Sequence, residues 1–236
     1  METGPNTDAW LEDTRASYDT VADSYADLTR HLLDETPEER AILALFADMV
    51  RVQGGGTVAD VGCGPGRITA HLRQLGVDAS GIDLSPRMIE VARRDHPGLR
   101  FDLGSMTDLA LADASMTGLV AWYSLIHVPD DEINSVFAHF QRVLRPGGPL
   151  LLSFHVGDES QLKTQGYGGH PMKVFVHRRR HNQMIAWLND AGFAVETSRT
   201  LTSAESKLGG IILARRQVMS GTTAVSAVSD GLPSTG

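Results

Sequence analysis

The chain has 236 residues, 42% hydrophobic and 21% charged, a size and balance that suit one α/β domain and fall short of two. Its 21 Lys and Arg stand against 29 Asp and Glu, a net charge of −8, and residues 1–50 alone carry 12 acids against three arginines, so a polynucleotide partner is not expected. One cysteine, Cys63, excludes an internal disulfide or a cysteine-rich metal centre, and the absence of a secretory pattern or an apolar run of roughly 18 residues predicts a cytoplasmic protein with no membrane partner.

The pattern from Asp8 to about Val52 predicts helices. Tyr18, Val21, Ala22, Tyr25 and Leu28 repeat at helical spacing, and Thr36 before Pro37, Glu38 and Glu39 marks a second start. After QGGG the rhythm changes: TVADVG, VDASGIDL, LRFDLGS, TGLVAWYS and PLLLSFH read as strands separated by helical segments. Ser85 and Pro86 open the helix after the second strand, and Asp130 is expected to cap the helix carrying Ile133, Val136, Phe137, Phe140, Val143 and Leu144.

GDESQLKTQGYGGHP is polar and glycine-rich, a lid or insertion in which Gly166, Gly168 and Gly169 could hinge. HNQMIAWLNDAG is a helix, and FAVETSRTL and KLGGIILARR are two further strands with no helix between them. The result is a doubly wound α/β fold with seven strands, mostly parallel, with one antiparallel strand from the final hairpin and an N-terminal helical cover. Residues 1–53 form that cover as part of the same domain, 54–216 the core, and 217–236 a disordered tail.

The first strand ends in VADVGCGPGR, where Gly62, Gly64 and Gly66 give bare backbone in a G-x-G-x-G pattern. Asp83 closes the second strand, where an acid accepts from ribose hydroxyls, so the ligand is expected to carry adenosine. Dinucleotide sites use G-x-G-x-x-G; here the third glycine comes one residue early, Pro65 interrupts and Arg67 follows. Asp60 is expected to point a carboxylate into the site, which repels a pyrophosphate and suits an ammonium and a sulfonium.

On VADVGCGPGR, GIDLS, GSMTDL, WYSLIHVP and RVLRPGG the chain resembles the class I S-adenosylmethionine-dependent methyltransferases, of the small-molecule, UbiE-like type, over roughly Tyr18 to Arg215. The resemblance implies a Rossmann-like core and S-adenosyl-L-methionine as cofactor, with S-adenosyl-L-homocysteine as its product. It places Asp60, Gly62 and Gly64, with Cys63 and Arg67 in the same loop, against the methionine part, and Asp83 on the ribose. Leu84 and Met88 would pack on adenine, Gly104, Ser105 and Met106 would lie at its edge, Trp122 and Tyr123 beside the methionine chain, and Tyr18 and Tyr25 would match a pair of tyrosines on the covering helix. Ser105 replaces an acid common among relatives, leaving Asp102 or Asp108 as substitutes for that contact, and Gly118 replaces an acid at the start of strand four.

For an acceptor that must lose a proton, His127 is the first candidate base and His155 the second; the plain alternative for His127 is a structural bond to a backbone carbonyl. Tyr18 or Tyr25 would orient ligand. HRRRH, residues 177–181, reads as a solvated basic turn, ahead of anion steering or metal binding, and Cys63 as a packing residue. The implied activity is methylation of an O, N or C atom of a small molecule, for which Trp122, Tyr123 and Phe154 suggest a flat, aromatic acceptor. An NAD-dependent oxidoreductase and a non-catalytic cofactor-binding regulator are the alternatives, and oligomeric state is left open.

Overall fold

The structure, a computed structural model, describes residues 9–202 and 208–218, so most of the expected tail and residues 203–207 between the last two strands lie outside it. The acidic front folds into α1 (Ala9–Thr29), α2 (Leu32–Glu35) and α3 (Pro37–Val52). Thr36 precedes Pro37 as expected, yet its hydroxyl turns back to the Leu32 carbonyl at 2.8 Å and does not cap α3.

The core then alternates β1 (Thr57–Val61), α4 (Arg67–Gln74), β2 (Asp78–Asp83), α5 (Pro86–Asp95), β3 (Phe101–Leu103) and β4 (Gly118–Trp122). Ser85 caps α5 by accepting from the Met88 amide at 3.0 Å, with Pro86 in the first turn where no amide is needed. A 3₁₀ turn (Leu125–His127) leads to α6 (Ile133–Val143) and β5 (Pro149–Val156). Asp130 does not cap α6: its carboxylate binds Arg179 and Gln183.

The polar insertion is not an open loop. It forms a hairpin of β6 (Gln161–Gly166) and β7 (His170–Val176), a sheet of its own. Gly168 and Gly169, at φ 92° and 83°, supply the turn that Tyr167 begins. The hairpin lies along α1, with Val21, Met172 and Val174 packed together and the Lys173 amide donating to Ser17 Oγ at 2.8 Å. The chain closes with β8 (Arg178–Arg179), α7 (His181–Asp190), β9 (Phe193–Thr202) and β10 (Leu208–Arg216).

The main sheet runs β3-β2-β1-β4-β5-β10-β9, with β8 extending the end of β5. The seven expected strands are all present among the described residues, and the eighth is a two-residue strand too short to leave a pattern in the sequence. β10 alone runs antiparallel, to both β5 and β9, as the missing helix between the last two strands required.

Side chains alternate across the sheet. Leu119, Ala121, Leu150 and Leu152 face α6 and α7, while Val120 and Leu151 face α3 and α4. Strand order reverses between β1 and β4, and the crevice beyond their carboxyl ends is where such folds take ligands.

Phe154, expected near the cleft, is wholly buried instead, its ring between Gly210 and His181. A Cβ at 210 would stand 2.3 Å from the ring edge. Gly210→Ala should therefore lower unfolding stability by about 1–3 kcal/mol through overpacking. Urea denaturation measures this, and an unchanged midpoint would mean the ring moves aside at no cost.

Candidate active site

The crevice between the ends of β1 and β4 opens into a cavity of about 730 Å³, counted to its open mouth, roofed by α1. Its floor is Gly62 and Gly64, both at positive φ (75° and 54°). A Cβ on Gly62 would stand 2.2 Å from Ser124, so no side chain fits there.

Asp83 forms one wall. Its Oδ2 accepts from the Gly64 amide at 2.7 Å and its Oδ1 from the Ser85 amide at 2.9 Å, which fixes the carboxylate plane toward the cavity. Burial raises its pKa, and the two amides oppose the rise. Leu84, Met88, Gly104, Ser105 and Met106 continue that wall, and Trp122, Tyr123 and His127 form the opposite one under Tyr18 and Tyr25. Thirteen of the residues singled out in the sequence thus meet at one cavity.

Four others do not line it. Asp60 is fully buried beneath the glycine loop, where Thr69 on α4 donates to Oδ2 at 2.6 Å; it acts on the cavity only as a charge below the floor. Its strand alternation sets this, because the last inward-facing residue of β1 turns toward α4. Cys63 packs against Gly81 and Phe101, its thiol raised well above the usual range by burial. Arg67 stands behind Tyr25, near Tyr123, Glu39 and Asp60. His155 lies beside Tyr123, ring centroids 5.3 Å apart, and outside the cavity lining. Asp102 and Asp108, the proposed stand-ins for an adenine-edge acid, are exposed and outside the cavity, and Ser105 bonds the Thr107 hydroxyl at 2.7 Å.

His127 is held at both ring nitrogens. Nδ1 is 2.7 Å from the Phe175 carbonyl, which can only accept, so Nδ1 carries the proton. Nε2 is therefore an acceptor, and the Tyr18 hydroxyl donates to it at 2.6 Å. Burial lowers the His127 pKa to about 4 and raises that of Tyr18 well above its ordinary value. His127 thus bonds a backbone carbonyl, as its plain alternative had it, and also lines the cavity.

Tyr123 is another constrained residue. It has φ 51°, a region uncommon outside glycine, and its amide is anchored by Ser153 Oγ at 2.7 Å. Its hydroxyl lies over Gly209 on β10, where a Cβ would come within 2.3 Å.

The sequence reading missed Trp10, Leu11, Thr14, Arg15 and Ser124 in the lining. The stripe on α1 extends back from Tyr18 in steps of four through Thr14 to Trp10, a signal that was available. The basic turn is also corrected: Arg179 is buried, not solvated, because the crossing of β8 carries it beneath the 3₁₀ turn.

Fold and site together resemble those of the class I S-adenosylmethionine-dependent methyltransferases. Residues 58–148 match the family model described as "Methyltransferase domain". The chain is 32% identical over 158 residues to the ubiquinone biosynthesis O-methyltransferase of Xanthomonas axonopodis pv. citri (strain 306), covering 60% of this chain and 64% of that relative, so it spans less than two thirds of the relative's length. Among solved structures it is similar to the Burkholderia thailandensis 1,6-didemethyltoxoflavin-N1-methyltransferase (TM-score 0.68, 21% identity, 92% of this chain and 93% of that one). A second is the magnesium protoporphyrin IX methyltransferase of Synechocystis PCC 6803 (TM-score 0.66, 17% identity, 90% and 100%). At these identities the two structures speak to the fold. No helix among the described residues is long and apolar enough to cross a membrane.

Asp60 and His127 give opposite pH dependences. The Asp60 carboxyl is raised from 3.8 to about 6, so between these values the folded chain holds a proton that the unfolded chain releases, and acid stabilises. His127 is lowered from 6.5 to about 4, so over nearly the same range the unfolded chain takes the extra proton, and acid destabilises. Asp60→Asn removes the first effect and leaves the second. Its loss of stability from pH 7 to pH 4.5 should exceed the wild-type loss by about 2 kcal/mol, read from denaturant melts at both pH values. Parallel curves would show that Asp60 titrates as an ordinary carboxyl.

Proposed function

We propose that this protein binds S-adenosylmethionine in the cavity and transfers its methyl group to a hydroxyl of a small, flat molecule. The observation that carries the reading is the meeting of bare backbone at Gly62 and Gly64 with the Asp83 carboxylate at the reversal of strand order. The donor set suits that cofactor. Asp83 keeps lone pairs for two ribose hydroxyls, and Leu84, Met88 and Met106 offer apolar faces to a purine. Trp122 Nε1 is an enclosed donor on the cavity wall with no partner among the described residues and would suit a carboxylate, while the buried Asp60 carboxylate would lie below an ammonium or sulfonium. A pyrophosphate would meet that negative charge instead, which disfavours a dinucleotide.

When bound, the cofactor supplies an electrophilic methyl group on a sulfonium centre. Tyr18, Tyr25 and Trp122 exclude water around it, and the walls hold the acceptor in line. The His127 imidazole is too weakly basic to ionise a hydroxyl in advance. As the acceptor oxygen gains its methyl and becomes acidic, its O–H bond breaks toward Tyr18 Oη. The original Tyr18 proton then passes to His127 Nε2, and the imidazolium keeps its Nδ1–H on the Phe175 carbonyl. An oxygen acceptor is also supported by the Xanthomonas relative, which is by name an O-methyltransferase. The solved Burkholderia methyltransferase structure holds 1,6-didemethyltoxoflavin and S-adenosylhomocysteine, which supports a small-molecule acceptor.

Calorimetric titration tests the cofactor reading: S-adenosylhomocysteine should bind and NADH should not, and binding of NADH alone defeats it. Asp83→Ala should weaken S-adenosylhomocysteine by about 1–3 kcal/mol, the scale of hydrogen bonds to a charged group; unchanged affinity would remove Asp83 from the ribose. His127→Ala should lower transfer of labelled methyl to acceptors in a metabolite extract more than it lowers cofactor affinity. Full transfer by that variant removes the proton relay.

A further inference from the structure

Arg179 is the largest fully buried side chain among the described residues, 1% exposed. A cation is costly to bury, and an interior position is normally filled by an apolar group unless the charge is closely engaged. Here every arm of the guanidinium is committed. Nη1 donates to the Leu125 carbonyl at 2.8 Å, Nη2 donates to the Val128 carbonyl, and Nε donates to Asp130 Oδ1 at 2.9 Å. Leu125 opens the 3₁₀ turn, Val128 follows its last residue, and His127 lies between them.

The chain segment before Arg179 reinforces the same turn. The Phe175 carbonyl accepts a hydrogen bond from His127 Nδ1, and the His177 amide donates to the Ile126 carbonyl at 2.7 Å. Four consecutive residues, Leu125 to Val128, are thus bonded by the alternate residues Phe175, His177 and Arg179 of the segment that runs from β7 into β8. A 3₁₀ turn of three residues has little intrinsic stability, so its place depends on these outside partners.

We propose that Arg179 is a positioning residue: by gripping the carbonyls of Leu125 and Val128 it fixes the turn so that His127 Nε2 meets the Tyr18 hydroxyl. The proposal rests on the reading of His127 as the final proton acceptor. The planar fork is required, since one lysine ammonium cannot span two carbonyls and a carboxylate in this arrangement. Asp130, itself exposed, orients the guanidinium from the solvent side, and Gln183 Nε2 donates to its other oxygen at 3.2 Å.

The test reads the His127 ring directly by long-range ¹H–¹⁵N NMR across pH 3.5–8, in wild type, Arg179→Lys, Arg179→Met and Asp130→Asn. The titratable groups around the ring are Tyr18 on α1, His177 before β8, His155 on β5 and Lys163 on β6, so the other histidines are assigned in the same spectra. Wild-type His127 should stay neutral with its proton on Nδ1 and titrate only near about 4. In Arg179→Met and Arg179→Lys the turn loosens, the ring meets water, and the midpoint should rise toward the ordinary value of about 6.5. Asp130→Asn should move it the same way by a smaller amount.

Folded Arg179 variants with an unmoved His127 midpoint overturn the proposal. If neither Arg179 variant folds, an unmoved midpoint in folded Asp130→Asn does so. S-adenosylhomocysteine binding, measured on the same samples, should persist, because the Gly62, Gly64 and Asp83 part of the cavity is left in place. Loss of that binding in wild type would instead sink the cofactor reading and leave the His127 result to stand on its own.

Discussion

The hydrogen bond from the Gly64 amide to the Asp83 carboxylate joins the ends of two parallel strands and sets the rest of the site around it. A parallel sheet gives no tight turn between neighbours, so β1 and β2 are tied only through their ladder and through such contacts at their tips. The bond needs Gly64 at positive φ, which brings the loop down to the acid, and the same loop leaves Gly62 bare against Ser124 of the neighbouring segment. The carboxylate is then aimed and desolvated before any ligand arrives. Pre-organisation of this kind is how an acid gains affinity for hydroxyls beyond what it has in water.

Around that fixed floor the cover is assembled from parts distant in sequence. α1 supplies Tyr18 and Tyr25, and the β6–β7 hairpin presses on α1 from outside, its Tyr167 ring edge-on to Tyr25 at 4.6 Å. The hairpin's second strand then reaches the turn that carries His127. One insertion therefore braces both partners of the Tyr18–His127 pair. Local stability of the roof and geometry of the hydrogen-bonded pair rise and fall together, since neighbouring residues of the one strand β7 serve both.

Much of this was legible in the residues. Periodicity separates helix from strand in the core because the sheet is covered on both faces, and glycine and acid positions at strand ends report directly on backbone shape and charge. Asp60 misled because a strand-end carboxylate was read without its face: it sits one residue before Val61 and turns under the loop to Thr69. The polar insertion hid a hairpin because its strands face solvent on one side and a helix on the other, which leaves only Met172 and Val174 as buried markers. Arg179 was read as solvated among its neighbours, since a charge run carries no sign of which member folds inward. Burial of that one charge follows from carbonyls contributed by residues some fifty positions away.

Tyr123 and Gly209 carry a consequence for how this molecule can change over generations. The phenol over Gly209 leaves no volume for even a methyl there, so the ring and the bare strand position occupy one shared space contributed by β4's end and by the lone antiparallel strand. Descendants that enlarge residue 209 must shrink residue 123, and with it redraw that wall of the cavity. The two positions form a single hereditary unit, and the shape of the cavity can drift through a strand that does not line it.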